Sequence, residues 1–305
     1  MTLTIYGPTS TGKTNLAIKL AKKLNGEIIS ADSRQVYKNL DIGSGKVSFD
    51  SKVEKHKNFW LVDGVKINGF DLKDPGEQFT AFDFVEFANS SINKITQQGK
   101  LPIVVGGSAF YIKTLVDGIK SFGIPKDKNL RNKLEKMSRE ELYEILLKLD
   151  ENRALSMNDS DEKNPRRLIR AIEINQSENK GTTHYPLPTT HYQLIGLTAP
   201  NSFLFKKIDK WLLERLENGL EEEVSNLIKN NVDPTWLESL GLEYRWITRI
   251  LLGKIDKETG VQRLRGDIHN YAKRQKTWFK KFNDIKIVDV SSKNWELELD
   301  KYIEN

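Results

Sequence analysis

The 305-residue chain contains no cysteine, which excludes a disulfide-stapled scaffold, a thiolate nucleophile and any cysteine-ligated zinc finger. Its four histidines, His56, His184, His191 and His269, show no metal-ligand spacing and read as structural or surface residues. No stretch approaches the ~18 consecutive apolar residues of a membrane span, and the opening MTLTIYGP has neither a basic leader nor a signal-peptide apolar core. The expectation is therefore a cytoplasmic protein without membrane contact. Internal repeats and low-complexity tracts are also missing, and at ~150 residues per domain the length suits one large domain or a core with a smaller appendage.

Charge is present but unevenly placed. The chain carries 48 basic and 42 acidic residues, a surplus of +6, and residues 261–287 alone hold eight Lys/Arg against two Asp. A basic stripe of this kind suits a polyanion, because phosphate contacts release condensed counterions. Its plainer reading is a solvated helix face.

Strand signals alternate with helical periods in the first part of the chain. A β-rich run over residues 1–6 stops at Gly7-Pro8, and an apolar period follows from Thr14 to Leu24. Further strand candidates are Glu27 to Ser30, Leu101 to Val105, Tyr192 to Leu197 and Ile285 to Val288. This alternation predicts an α/β fold, a doubly wound parallel sheet whose ligands sit at the carboxyl ends of the strands. From Lys120 to Asn179 the pattern is charge-rich and helical, and 180–190 is rich in Gly, Pro and Thr and reads as a loop. The expected organisation is a core of 1–119 and 186–305 with a helical C-terminal region, and an inserted all-helical domain of 120–185.

The strongest motif is GPTSTGKT, running Gly7, Pro8, Thr9, Ser10, Thr11, Gly12, Lys13, Thr14, between the first strand and the first helix. In such a P-loop the glycines let backbone N–H groups turn toward an anion, the lysine adds a point charge, and the Thr14 hydroxyl is a candidate ligand for Mg2+. The motif does not say whether the phosphates belong to a nucleotide or to another diphosphate. FWLVD, ending at Asp63, has the shape of a Walker B strand, although GVKINGF after it also fits an ordinary hairpin. Asp32, Ser33, Arg34 and Gln35 follow the second strand, so they should lie beside the phosphate loop. Asp32 there is either a proton acceptor or a helix cap. Gly106-Gly107-Ser108 offers the same pair of readings. Tyr271, Gln275, Trp278 and Phe282 form one helical stripe that reads as core, with Lys273, Arg274, Lys276, Lys280 and Lys281 largely outside it. Arg166, Arg167 and Arg170 are phosphate candidates or partners in helix-face ion pairs with Glu162 and Glu173.

Taken in order, GPTSTGKT, EIISADSRQVYKNLDIGSGK, LPIVVGGSAFYIKTLVDG, PRRLIRAIEI, GLEYR and AKRQKTWF resemble the bacterial tRNA dimethylallyltransferases nearly end to end. The resemblance implies a P-loop core with an inserted helical domain, and transfer of a dimethylallyl group from dimethylallyl diphosphate to N6 of adenosine 37 in the tRNA anticodon stem-loop. It implies that the glycine loop holds the donor's diphosphate with magnesium, with Lys13 and Thr14 in the catalytic set. It also makes Asp32 the general base and places Ser33, Arg34 and Gln35 beside the substrate adenine. Ser108 matches a threonine near that base, and Arg131 matches an arginine that touches tRNA. Arg166, Arg167 and Arg170, then Leu240 to Arg245, then Lys273, Arg274 and Lys280 fall in tRNA-contacting stretches. A monomer is expected.

The chain departs from the family pattern at several points. Phe59-Trp60-Leu61-Val62-Asp63 stands where the family has His-His-Leu-Ile-Asp, and Lys163-Asn164 stands where it has Asn-Asp before proline. Lys207-Ile208-Asp209-Lys210-Trp211 replaces Arg-Ile-Asp/Glu-x-Arg, so an arginine expected near the donor diphosphate is missing, with Lys207 and Arg215 as candidate substitutes. Competing readings are an adenylate isopentenyltransferase acting on free AMP or ADP, a non-catalytic RNA-binding protein with a decayed P-loop, and a small-molecule kinase. The inserted helices and the basic helix favour RNA over a mononucleotide, and intact Lys13, Thr14 and Asp32 favour an enzyme.

Overall fold

All five residues of β1 (Thr2–Tyr6) are buried, a pattern that only a strand covered on both faces requires. It pairs in parallel with β6 (Leu101–Gly106) on one side and β7 (Tyr192–Thr198) on the other. The computed structural model describes residues 1–118, 124, 126–177 and 191–304. Among these, one eight-stranded sheet runs in the order β3-β4-β5-β2-β6-β1-β7-β8. The remaining strands are β2 (Gly26–Ser30), β3 (Val53–Lys55), β4 (Trp60–Val62), β5 (Val65–Asn68) and β8 (Ile285–Asp289). The strands expected at both ends of the chain are thus present and parallel.

One edge departs from the all-parallel expectation. β3 and β4 are antiparallel, and Val62 pairs with Val65 across a two-residue Asp63-Gly64 turn with both φ positive, at 51° and 79°. Such a turn folds the chain straight back, whereas a parallel neighbour needs a long crossover. The hairpin reading of this segment therefore holds and the Walker B reading does not. The Asp63 carboxylate is used locally, accepting from Lys52 N at 2.9 Å and Ser51 Oγ at 3.0 Å.

The chain divides into two compact units, Met1–Val116 with Thr190–Asn305, and Asp117–Thr189. In the first, α1 (Lys13–Lys23), α2 (Ala81–Gln97) and α3 (Ala109–Asp117) alternate with the strands. α2 opens on a capping box in which Thr80 and Asp83 satisfy each other's amides. Ile5, Ile28, Ile67, Ile103 and Ile195 are fully or almost fully buried in one core, each contributing about 1.5–3 kcal/mol on removal from water.

The second unit comprises α4 (Lys128–Leu134), α5 (Arg139–Leu149), α6 (Glu151–Leu155), α7 (Asp159–Glu162) and α8 (Pro165–Gln176), with its own core around Leu142, Leu146, Leu168 and Ile172. Asn164 caps α8 by accepting from Arg166 N at 3.1 Å, and Pro165 begins the helix. Asn caps as well as Asp, so this departure from the family pattern is conservative. The expected loop at 180–190, with His184, and the expected unit boundaries at 120 and 185 lie outside the described residues.

After β7 the first unit continues through α9 (Asn201–Glu217), α10 (Leu220–Lys229), α11 (Pro234–Ser239), α12 (Leu242–Leu251) and α13 (Lys257–Thr277), followed by a 3-10 turn at Trp278–Lys281, β8 and α14 (Trp295–Glu304). The turn breaks the stripe expected to run through Trp278. Phe279 is buried instead, and with Phe282 it packs on Tyr6 at ring distances of 5.2 and 5.3 Å. No described helix is long and apolar enough to cross a membrane.

Candidate active site

β6 lies between β1 and β2, so the chain leaving the carboxyl ends of these three strands opens a crevice where the strand order switches. A cavity of about 790 Å³ occupies that edge, lined by Ser10, Lys13, Thr14, Asp32, Arg34 and Gln35 among others. Thr9 and Gly12 line it too, whereas Gly7, Pro8 and Thr11 form the turn behind them.

The loop after β1 is shaped by two left-handed residues, Ser10 at φ 63° and Gly12 at φ 84°. Gly12 occupies the N-cap of α1 and offers no side-chain cap, and the first turn carries no acid. The first amides of the helix are left for an anion. Thr11 Oγ1 and Lys13 Nζ both donate to Pro8 O, at 2.8 and 2.7 Å, which closes the loop on itself. Among the described residues, Ser10 Oγ is buried without a hydrogen-bond partner. Burial pushes the Lys13 ammonium down to about 8, against an upward pull from Asp32.

No helix follows Asp32 directly, so the expected helix cap is replaced by a turn. Oδ1 accepts from Arg34 N at 3.0 Å, capping the turn, and among the described residues no donor is placed on Oδ2. Gly106 permits the closeness of this loop to β6, since a Cβ there would fall 2.0 Å from Ala31 O. Ser108 closes the same contact, donating its N–H to Ala31 O at 3.2 Å and accepting from Ser33 N at 3.1 Å. Ser33 and Ser108 thus clip two loops together and do not line the cavity. Gln35 holds Ser30 Oγ at 2.6 Å and Gly45 O at 2.9 Å.

Several shaping residues escaped the sequence reading. Gln275, expected in a core stripe, accepts from Thr9 N at 2.9 Å and donates to Gly107 O at 2.8 Å, stapling the glycine loop to the β6 loop. Tyr271 lines the cavity, and burial together with Asp32 pushes its phenol up to about 12. Glu223 accepts from the amides of Asp41, Ile42 and Gly43 and from Tyr244 Oη, fixing the loop that forms the outer wall. Glu243 is fully buried and holds Arg34 at 2.6 Å. Burial alone would lower the Arg34 guanidinium, but Glu243 and Asp32 outweigh it and hold it above its ordinary value. Leu240 to Arg245, expected to contact tRNA, is therefore partly internal: Glu243 and Tyr244 brace loops from behind. Trp60, where the family has histidine, is buried in the cavity wall and donates its indole N–H to Asp71 at 2.8 Å.

The outlying arginines and lysines divide by engagement. In the helical unit Arg131 grips Glu173 with a two-bond fork at 2.5 and 2.7 Å. Arg170 adds a contact to Glu173 at 3.2 Å and donates to Ile124 O at 2.8 Å, while Arg167 pairs with Asp161 and Arg166 stays exposed. In the core unit Arg245 donates to Glu238 O at 3.1 Å. Lys273 lies over the Phe205 ring at 5.5 Å and Arg274 over Tyr271 at 5.9 Å, both exposed, as is Lys280.

A divalent cation fits the donor set only in part. The Thr14 hydroxyl and the free Asp32 oxygen are hard oxygen ligands of the kind magnesium takes. Among the described residues no cluster of three His, Asp or Glu could hold a metal, so most ligands would come from a bound diphosphate and water.

The model of the IPP transferase family matches residues 35–282. The chain is 37% identical over 287 residues to the tRNA dimethylallyltransferase of Endomicrobium trichonymphae, covering 93% of each protein. It is 35% identical over 307 residues to that of Bacillus cytotoxicus, covering 98% of this chain and 93% of the relative. Among solved structures, the tRNA isopentenylpyrophosphate transferase of Bacillus halodurans superimposes with a TM-score of 0.70 at 30% identity, over 99% of this chain and 95% of that one. A eukaryotic dimethylallyltransferase acting on tRNA gives 0.76 at 25% identity, over 95% and 73%.

Proposed function

The chain belongs to the IPP transferase family, and on that premise we propose that it transfers a dimethylallyl group from dimethylallyl diphosphate to N6 of adenosine 37 in tRNA, releasing pyrophosphate. One observation carries the reading beyond family membership: a half-free carboxylate and a buried cation with open amides share one cavity. These are the two demands of the reaction. N6 attacks C1 of the allyl group, the C1–O bond breaks, and its electron pair leaves on the diphosphate. The proton of N6 goes to Asp32 Oδ2. An exocyclic amine conjugated to a purine is a poor nucleophile, and hydrogen bonding to Asp32 raises its electron density as the C–N bond forms.

The leaving oxygens are met by Lys13, by the first amides of α1 and by Ser10 Oγ, all organised before substrate arrives. Magnesium held by Thr14 and the diphosphate would neutralise further charge there. The loop is thus used as a P-loop that grips a leaving group, without phosphoryl transfer. Arg34, fixed by Glu243, would meet the edge of an extruded base, the mode suited to single-stranded anticodon loops, whereas Gln35 spends its amide on Ser30 Oγ, Ser44 O and Gly45 O and shapes the wall. Arg166, Lys273, Arg274 and Lys280 have exposed heads for tRNA phosphates, whereas Arg131 and Arg170 serve Glu173.

The decisive assay supplies purified protein with magnesium and labelled dimethylallyl diphosphate, offering an anticodon stem-loop with A36-A37-A38 and, separately, free AMP. Label is expected on the stem-loop, with AMP a poor acceptor. Label on AMP alone would establish the adenylate isopentenyltransferase instead.

A further inference from the structure

On α9, Trp211 and Arg215 stand one helical turn apart, and the Arg215 guanidinium lies over the indole, its central carbon 3.2 Å from the ring centroid. Both line the cavity. Arg215 is 97% buried by its 3% exposure, yet among the described residues it makes a single hydrogen bond, Nη1 to Gly43 O at 2.7 Å. Among the described residues no acceptor meets Nη2 or Nε, and Glu243 Oε1 forms a long ion pair with Nη1 at 3.8 Å. Glu243 gives its Oε2 to Arg34 at 2.6 Å, and its buried Oε1 has no hydrogen-bond partner among the described residues, so Arg215 has carboxylates in its surroundings but no carboxylate hydrogen bond. The wall opposite is cut back for this group: a Cβ on Gly45 would fall 1.8 Å from Nη2. Lys207, the other candidate, is exposed and lies over the Phe203 ring at 4.6 Å, free to move with solvent.

We infer that Arg215, shelved on Trp211, is the guanidinium that binds the diphosphate end of the donor, taking over one turn further along the helix the place of the arginine that this chain lacks at position 211. The inference rests on the reading of the cavity as the prenyl-diphosphate site. An aromatic shelf fixes the plane of a guanidinium and leaves its edge N–H groups free, which is the geometry for a two-bond grip on phosphate oxygens. Burial brings the Arg215 guanidinium down to about 10 against the pull of Glu243, so it stays charged at neutral pH while poorly solvated. A poorly solvated cation gains more from an incoming anion than an exposed lysine does.

The test is calorimetric titration with magnesium pyrophosphate, joined to steady-state kinetics in dimethylallyl diphosphate and to anticodon stem-loop binding. Arg215→Met is expected to raise both the pyrophosphate Kd and the donor KM roughly ten- to a hundredfold, the scale of losing hydrogen bonds to a charged group, and to lower kcat as well because the same group meets charge developing on the leaving diphosphate, with stem-loop affinity little changed. Arg215→Lys should recover part of the loss, and Trp211→Arg in the Arg215→Met background should recover more. Wild-type pyrophosphate affinity in Arg215→Met, with Lys13→Met losing it, overturns the inference and leaves the function standing. Equal loss of stem-loop and pyrophosphate affinity assigns Arg215 to bracing the loop at Gly43 and also overturns it. Should Arg215→Met fail to fold, Arg215→Lys decides, since an unchanged pyrophosphate Kd there overturns the proposal. Wild-type protein that binds no pyrophosphate overturns the donor reading and this inference together.

Discussion

The helical unit and the carboxyl edge of the sheet treat buried charge in opposite ways. Glu173 in the helical unit is saturated: both oxygens are taken by the Arg131 fork, Arg170 adds a third contact, and Asp127 N a fourth at 3.2 Å. Burial alone would raise this carboxyl, but the arginines hold it below the usual carboxylate range. At the sheet edge, among the described residues, Asp32 keeps one oxygen free, Ser10 Oγ has no hydrogen-bond partner, and Arg215 spends one donor of five in a hydrogen bond. Saturated charge holds a fold together, and unsaturated charge is stability forgone in favour of a ligand.

The comparison can be broken most sharply at Asp32. Asp32→Asn should leave stem-loop affinity nearly intact while turnover falls by roughly two or more orders of magnitude, the scale of a lost general base. Normal turnover in a single-turnover assay would remove the proposed proton acceptor. Glu173→Gln should do the reverse, lowering unfolding stability by about 2 kcal/mol because two partly exposed arginines lose their counter-charge. Its effect on prenyl transfer, measured well below the melting temperature, should be small.

Acidity separates the regions again. With Lys13 at about 8 in the folded protein and 10.5 as its ordinary value, the folded state binds fewer protons than the unfolded state between those pH values. The Lys13 contribution to stability should therefore rise with pH across that window. Pyrophosphate affinity should fall as pH passes 8, because the bound anion needs the ammonium. In Lys13→Met both dependences should flatten, and a retained affinity profile would assign the titration elsewhere. The smallest effect concerns the basic helix: Lys280→Ala should weaken stem-loop binding and reduce its salt slope by roughly 0.7–0.9, as for one phosphate contact. An unchanged slope would return Lys280 to the solvated face.

Much of the core was legible because its signals are local. A buried β-branched run, a glycine loop and an apolar period need only neighbours in sequence, and β1, α1, β2, β6, β7 and β8 appear where these patterns predict. Asp32 was legible as a residue after a strand, although the turn that occupies its Oδ1 reads in sequence as a helix start. The readings that changed involve long-range partners. Gln275 sits in a helical stripe that resembles core, and nothing near it in sequence reveals that Thr9 and Gly107 wait for its amide. Arg131, which the resemblance matches to an arginine touching tRNA, has a partner in Glu173 that nothing near it in sequence reveals.

Sequence alone determined most of the strands and helices and the glycine loop of P-loop pattern, since each is written in dihedral preference and periodicity within a short window, whereas Asp32 is marked as the candidate base only by resemblance. Tertiary structure alone decided which charges are spent and which stay available. That outcome depends on where residues such as 34, 215 and 243 meet, and burial makes each such meeting worth far more than its spacing along the chain reveals.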